Sequence, residues 1–392
     1  MIRRLVAGDS LNITGVAIGL ISLYTGWLTL KPNRISSGVS LSFHEIAGWP
    51  GLAIILGLWF VCFSLSYFRK GKLPALILGT AANLILVLSF VFTGLAATRL
   101  LGVEAPNARI SLGIGFWMTF VATYIMIFAS RQRLDNSPSL RHIVSWTGVV
   151  VLFFLLINGW FKDLSVLQEF SGYEERFIQE LLHHVFLVGI SVAIGTIIGI
   201  MLGTWATRSK RTEKPIFFIA NITQTVPSLA LFGLLIAPLS ALSFTFPSLR
   251  EIGIRGVGDT PAIIALTIYS LLPIVRNTYV GLRQVDTAVI DAGIGVGMSR
   301  TQVFRKIEVP LAAPLVLEGV RTALVQSVGL AAVAALIGAG GLGWFIFQGL
   351  GQAATDMILL GAIPIIVMAI IVDAIMRTMV RLVTPEGLTE GN

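Results

Sequence analysis

Apolar runs of about twenty residues recur along the whole chain, and about twenty is the length an α-helix needs to cross a bilayer core. Ten runs meet that test, at 11–30, 49–68, 74–97, 110–130, 142–161, 185–206, 216–242, 260–279, 312–336 and 357–376. The seventh is the least regular. Charged residues make up 12% of the chain and the mean hydropathy is +0.86, whereas a soluble domain carries about 25% charged residues. The pattern predicts an all-α integral membrane protein of about ten transmembrane helices.

The formal net charge of +8 does not point to nucleic acid, because the basic residues fall in short clusters between apolar runs, the distribution that orients membrane proteins. Alternation from a cytosolic N-terminus puts nineteen Lys and Arg on the inner side, among them Arg3, Arg4, Arg69, Lys70, Arg208, Lys210, Arg300, Arg305 and Lys306, and eight outside. Arg321 lies within a span. The asymmetry predicts both termini in the cytosol. Arg3 and Arg4 precede a long run with no small-x-small cleavage site at Gly26-Trp27-Leu28-Thr29, so the first run reads as a span and not as a secretory signal. The lone Cys62 excludes an intramolecular disulfide. His44, His142, His183 and His184 are too scattered for a metal site, and His44-Glu45 lacks the second His of a zinc-protease helix.

The chain divides at 162–184, a polar, acidic connector carrying Glu169, Glu174, Glu175 and Glu180 and placed outside the membrane by the alternation. Its part from Glu174 to His184 has helical spacing and reads as an amphipathic lead-in along the membrane surface. Residues 1–161 supply five spans and no motif. Residues 185–380 form a second membrane region, and 381–392 a cytosolic tail.

Several features of the second region carry more information. Pro227 inside a span removes a backbone donor and disturbs the preceding turn. In lipid this is tolerated only where neighbouring helices or a water-lined cavity satisfy the freed carbonyls. Gln224, Thr225 and Ser228 are the polar groups beside it, so this span faces the bundle interior, as a structural kink or as part of a solute pathway. Glu318 and Arg321 lie three apart, and Asp373 and Arg377 four apart, so each pair can neutralise itself on one helix face. Gly338-x-Gly340-x-x-Gly343 matches the dinucleotide fingerprint in letters alone. An Ala- and Val-rich span precedes it where a strand is required, so it reads as a flexible or closely packed outer loop.

The longest polar interruption in this half is Val285–Pro310, VDTAVIDAGIGVGMSRTQVFRKIEVP. Small residues at 292, 293, 295 and 297 leave little side chain on one surface, and Arg300, Arg305 and Lys306 follow as a basic patch. The stretch reads as a short helical segment outside the membrane, shaped to fit a groove on a soluble partner. Its spacing resembles the cytoplasmic loop signature of ABC importer permeases, in which Glu-Ala-Ala, a Gly and a closing Ile-x-Leu-Pro recur at fixed intervals. Here Asp291-Ala292-Gly293, Gly297, Ile307, Val309 and Pro310 occupy those places. Asp291 stands for Glu, Gly293 for Ala and Val309 for Leu, and Gly293 costs helix stability of about 1 kcal/mol relative to Ala.

Residues 183–380 resemble the five-helix translocation core of type I ABC importers, and within them the permeases for glycine betaine, carnitine and choline. That narrower match is carried by Gln224–Leu231, by Pro261–Leu266 running to Pro273–Thr278, and by Ile337–Gly343. The resemblance implies a bacterial inner-membrane permease that docks cytosolic ABC ATPases through Asp291, Ala292, Gly293, Gly297, Ile307 and Pro310. It also implies a second permease subunit, identical or different, and an extracytoplasmic solute-binding protein. Gln224, Thr225, Pro227 and Ser228 are its candidate pathway residues. No phosphate-binding Gly-x-x-x-x-Gly-Lys-Ser/Thr occurs, since Gly71-Lys72 is followed by Leu73. The chain is therefore expected to bind no cofactor and to be no enzyme, with ATP used by partner subunits, lipid around it and no nucleic acid. Uptake would proceed by alternating access coupled through residues 285–310. Aromatic cages suit quaternary ammonium groups, yet Trp205, Tyr269 and Trp344 are scattered, which assigns selectivity largely to the receptor. A permease for another solute such as an amino acid, an ion-coupled secondary transporter and a non-transporting sensor subunit are the alternatives.

Overall fold

In the computed structural model, residues 9–34, 36–67, 71–102 and 107–385 are described. Arg3, Arg4, Arg69, Lys70 and the end of the expected tail, 386–392, lie outside them. Among the described residues nine helices are long and apolar enough to cross a membrane. The chain divides into two units, 1–172 with 352–356, and 173–351 with 357–392.

The first unit corrects the first expected span. Helix α1, Ser10–Ser22, has 13 residues, a rise of only about 20 Å. The apolar run continues past it as strand β1, Leu28–Lys31, not as helix. Strand β1 pairs antiparallel with β2, Val39–Leu41, and with β3, Arg109–Leu112, in the order β2-β1-β3. A window of hydropathy cannot separate Leu28-Thr29-Leu30 in a strand from the same residues in a helix. Trp27 anchors the switch. It is fully buried, its Nε1 donates to Thr93 Oγ1 at 3.1 Å, and its ring meets Phe43 at 4.5 Å. The spans α2, Phe43–Leu65, α3, Lys72–Leu101, α4, Ile114–Arg133, and α5, Pro138–Ile157, follow. The fourth expected run opens in β3, so its helix starts only at Ile114. The short helix α6, Ser165–Gly172, closes the unit and carries the buried Glu169, which Arg34 meets at 3.0 Å.

The second unit opens on α7, Glu174–Arg208, a single helix of 35 residues. The Glu174–His184 segment is thus helical, as its spacing suggests, and runs without a break into the apolar run that follows. Then come α8, Lys210–Thr225, α9, Ser228–Thr245, the short α10, Pro247–Glu251, and α11, Asp259–Arg283. Helix α12, Thr287–Gly295, and α13, Arg300–Val303, lead through a π-turn, Phe304–Glu308, into α14, Val309–Ala331. A 3-10 turn, Val333–Ile337, α15, Gly343–Gly351, and α16, Thr355–Val383, complete it.

Its centre is the packing of α7 against α11. Cβ atoms added to Gly195, Gly199 and Gly203 would collide with Ser270, Ile274 and Thr278, respectively. Both sets step by four residues, so two helix backbones meet along matching rows, the small-xxx-small arrangement of membrane helices. Gly319 plays the same part between α14 and α11, where a Cβ would lie 2.8 Å from the Pro273 carbonyl.

Candidate functional site

The expected docking stretch folds as a helix, a tight turn and a second helix. Asp286 caps α12, its Oδ1 accepting from the Ala288 N–H at 2.8 Å, a geometry short acidic side chains favour at helix starts. The helix ends in a Schellman turn. Gly297 adopts φ +87°, its N–H donates to the Ile294 carbonyl at 2.9 Å, and the Met298 N–H reaches back to Gly293 at 3.1 Å. Ser299 and Gln302 then form a capping box that starts α13.

The small residues therefore divide into two kinds. Gly293 is buried inside the loop, where an added Cβ would stand 2.7 Å from Ile307 Cδ1. It sets the approach of α12 to the following helix and leaves no clear surface outside. Gly297 supplies a left-handed backbone. Asp291, Ala292 and Gly295 are exposed, beside the exposed apolar side chains Val289, Ile294 and Val296, the last at 79%. Ile307 is half-buried and Pro310 exposed. Pro310 has no N–H to offer Lys306, and the helix widens there, with Val309 bonding back to Phe304. A proline explains such a bulge, since it removes the normal bond and crowds the preceding turn.

A residue that sequence reasoning passed over joins this loop to the core. Glu308 is 7% exposed and accepts from Arg208 Nη2, at the end of α7, at 2.5 Å. The Arg208 guanidinium lies 5.2 Å from the Phe304 ring centre. Nearby, Tyr279 of α11 donates to Glu213 of α8 at 2.8 Å and accepts from Arg283 at 2.6 Å. The pairing of Arg208 with a residue 100 places on left no local signal.

The expected pathway residues lie where α8 and α9 part, so the irregular seventh run is two helices. Val226 and Pro227 are extended, with ψ 127° and 136°. Gln224 Nε2 donates to the Tyr269 carbonyl at 2.6 Å, the Tyr269 hydroxyl donates to the Val226 carbonyl at 2.6 Å, and Gln326 donates to Gln224 Oε1 at 3.3 Å. Tyr269 is the residue whose carbonyl Pro273, four places on in α11, cannot bond. Gln224 satisfies that carbonyl from a neighbouring helix. Thr225 bonds locally, to the Ile222 carbonyl at 2.7 Å. Thr225 and Pro227 are exposed and Ser228 half-buried in the single chain.

The two expected ion pairs merge. Arg321 bonds Glu318 at 2.9 Å and also Asp373 at 2.6 Å, while Asp373 accepts from Arg377 as well, so α14 and α16 share one network. The glycine-rich loop is closely packed: the Gly341 N–H donates to Glu180 at 2.6 Å and the Leu342 N–H to His184 Nδ1 at 3.3 Å. Tyr173, Trp344 and Phe345 cluster beside it, with the Arg176 guanidinium 3.5 Å from the Trp344 ring centre.

Residues 195–386 match the family of binding-protein-dependent transport system inner membrane components, and residues 9–167 match the N-terminal domain of the ABC transporter permease YehY. Over 205 residues the chain is 40% identical to the glycine betaine/carnitine/choline transport system permease protein OpuCB and to the choline transport system permease protein OpuBB, both of Bacillus subtilis. Each alignment covers 52% of this chain and 87% of the relative. The osmoprotectant import permease protein OsmW of Salmonella typhimurium is 40% identical over 52% of this chain and 90% of its own. Among solved structures, an inward-facing MetNI methionine ABC transporter covers 53% of this chain and 96% of that one at 22% identity and a TM-score of 0.46, too distant to carry an argument. Membership of the binding-protein-dependent ABC permeases implies a cytosolic ATPase, a paired permease and an extracytoplasmic binding protein around a membrane subunit that is not itself catalytic. The chain belongs to the permease subunits of ABC importers, in the osmoprotectant family of OpuB, OpuC and OsmW.

Proposed function

We propose that this permease imports glycine betaine or a closely similar quaternary-ammonium solute, and that its 285–310 loop is the cytosolic seat of the ATPase. The observation that carries the second part is the exposed face of α12. Asp291, Ala292, Ile294, Gly295 and Val296 stand open, with Val289 beside them, on a helix rigidly capped at both ends. An apolar ridge with a polar rim, presented by a fixed backbone, suits a groove on a soluble partner. Gly293, Gly297, Ile307 and Pro310 act by shaping that ridge. The excess of Lys and Arg on one set of loops supports a cytosolic loop and cytosolic termini. In this reading 185–380 is a type I translocation core, 1–161 an accessory membrane region, and the Gln224–Ser228 break borders the solute path.

The solute reading rests on the names of the relatives, which share quaternary ammonium chemistry. Uptake of labelled glycine betaine, with choline and carnitine as competitors, tests it in a transport-deficient host expressing the whole importer, with ATP depleted at a maintained ion gradient. ATP-dependent accumulation in which glycine betaine outcompetes the other two is the expected result. Uptake of an unrelated solute alone, from an assembled complex, overturns it. Val296→Asp tests the seat: it should release the ATPase subunit from a complex that still inserts in the membrane.

A further inference from the structure

We infer that Arg208 and Glu308 form the positioning link through which movement of the docking loop reaches α7. The inference rests on the docking reading above. Helix α12 follows α11 after three residues and runs on through α13 into α14, so both of those helices feel the loop through the chain itself. Helix α7 has no such connection. It is nevertheless the helix whose glycine row packs on α11 through Gly195, Gly199 and Gly203.

The contacts between loop and α7 run in series. Gly293 of α12 rests on Ile307. Ile307 neighbours Glu308 in the π-turn, and Glu308 is held by Arg208, the last residue of α7. The Glu308 side chain is only 10% exposed while that of Arg208 is 53% exposed, so the carboxylate is fixed by burial and the guanidinium comes to it. Phe304, one turn earlier in the same π-turn, lies under the guanidinium and restrains it further. A π-turn carries one residue more than the α-helix around it, and such turns are found at functional sites. An apolar groove of 250 Å³ lined by Thr204, Thr278, Leu282, Phe304 and Ala312 lies beside the link.

A merely structural pair would neutralise a buried carboxylate and do nothing else. Uptake and subunit retention by the complete importer in proteoliposomes separate the two roles. Arg208→Glu and Glu308→Arg should each keep the ATPase subunit bound yet lower uptake about tenfold, and the charge swap carrying both should recover most of it. Glu308→Gln, which preserves shape, serves if a single charge reversal does not accumulate; it should retain the ATPase with a smaller loss of uptake. Full uptake by the single variants, loss of the ATPase subunit from them, or a swap no better than either single would overturn the link. Val296→Asp is the control: if it retains the ATPase, the docking reading itself fails, whatever the pair does.

Discussion

Replacing Gln224 with leucine should destabilise the second unit, and the loss should depend on Pro273. Pro273 leaves the Tyr269 carbonyl without its helical donor, and Gln224 Nε2 fills that place at 2.6 Å while its oxygen accepts from Gln326. A leucine side chain there would strand the carbonyl and deprive the Gln326 amide of its acceptor. A buried polar group left without a partner costs about 1–3 kcal/mol, whereas single polar contacts between membrane helices average about 0.6 kcal/mol. Two lost contacts at a half-buried position put the change at about 1–2 kcal/mol. Pro273→Ala restores the N–H at 273, so the Tyr269 carbonyl regains a helical partner. In that background Gln224→Leu should cost less by about 1 kcal/mol, the share carried by the Tyr269 bond. Unfolding equilibria of the four proteins in mixed micelles give the coupling energy. If the two changes add within about 0.3 kcal/mol, Gln224 does not satisfy the carbonyl freed by Pro273 and the account of the helix break fails.

Gly293→Ala places a Cβ 2.7 Å from Ile307 Cδ1, so its gain in helix propensity of about 1 kcal/mol should be largely cancelled. Ile307→Val removes that Cδ1, and Gly293→Ala should raise the melting temperature more in the Ile307→Val background than alone. Gly297 needs its left-handed backbone: Gly297→Asn should be tolerated and Gly297→Val should cost about 1–2 kcal/mol, read by thermal unfolding. A bulky residue at 297 thus strains the turn as well as filling space, and Gly295→Leu, where an added Cβ meets nothing, is the cleaner block to ATPase co-purification. In the first unit, burial pushes the Glu169 carboxyl above its ordinary value, and Asp356 adds to the rise, against the opposing pull of Arg34 and Arg109. A carboxyl raised on folding contributes stability that is full below its unfolded value, about 4.3, and is lost as pH rises through its folded value. Melts from about pH 4 upward should show that fall in the native protein, and Glu169→Gln should flatten it.

The spans that survive as long helices were legible because a bilayer imposes a length and a polarity that composition alone reveals. The local fold of the 285–310 stretch was legible too, since Asp286, Gly297 and Ser299 act through bonds to neighbours within a few residues. The glycine row at 195, 199 and 203 was equally visible in the letters, and its spacing was the signal that would have located the α7–α11 contact. Other features had no local trace. Leu28–Leu30 became a strand because Val39–Leu41 and Arg109–Leu112 supply partners for its backbone, which hydropathy cannot report. Gly293 faces Ile307, Arg208 meets Glu308, Arg321 joins Asp373, and Gln224 serves a carbonyl freed by a proline in another helix. Each of these depends on two segments arriving at one place. Sequence by itself determined where the backbone must be helical in lipid and where it must break. Only the tertiary structure decided which freed carbonyl, buried charge or small residue each break would serve, because those partners are chosen by distance in space.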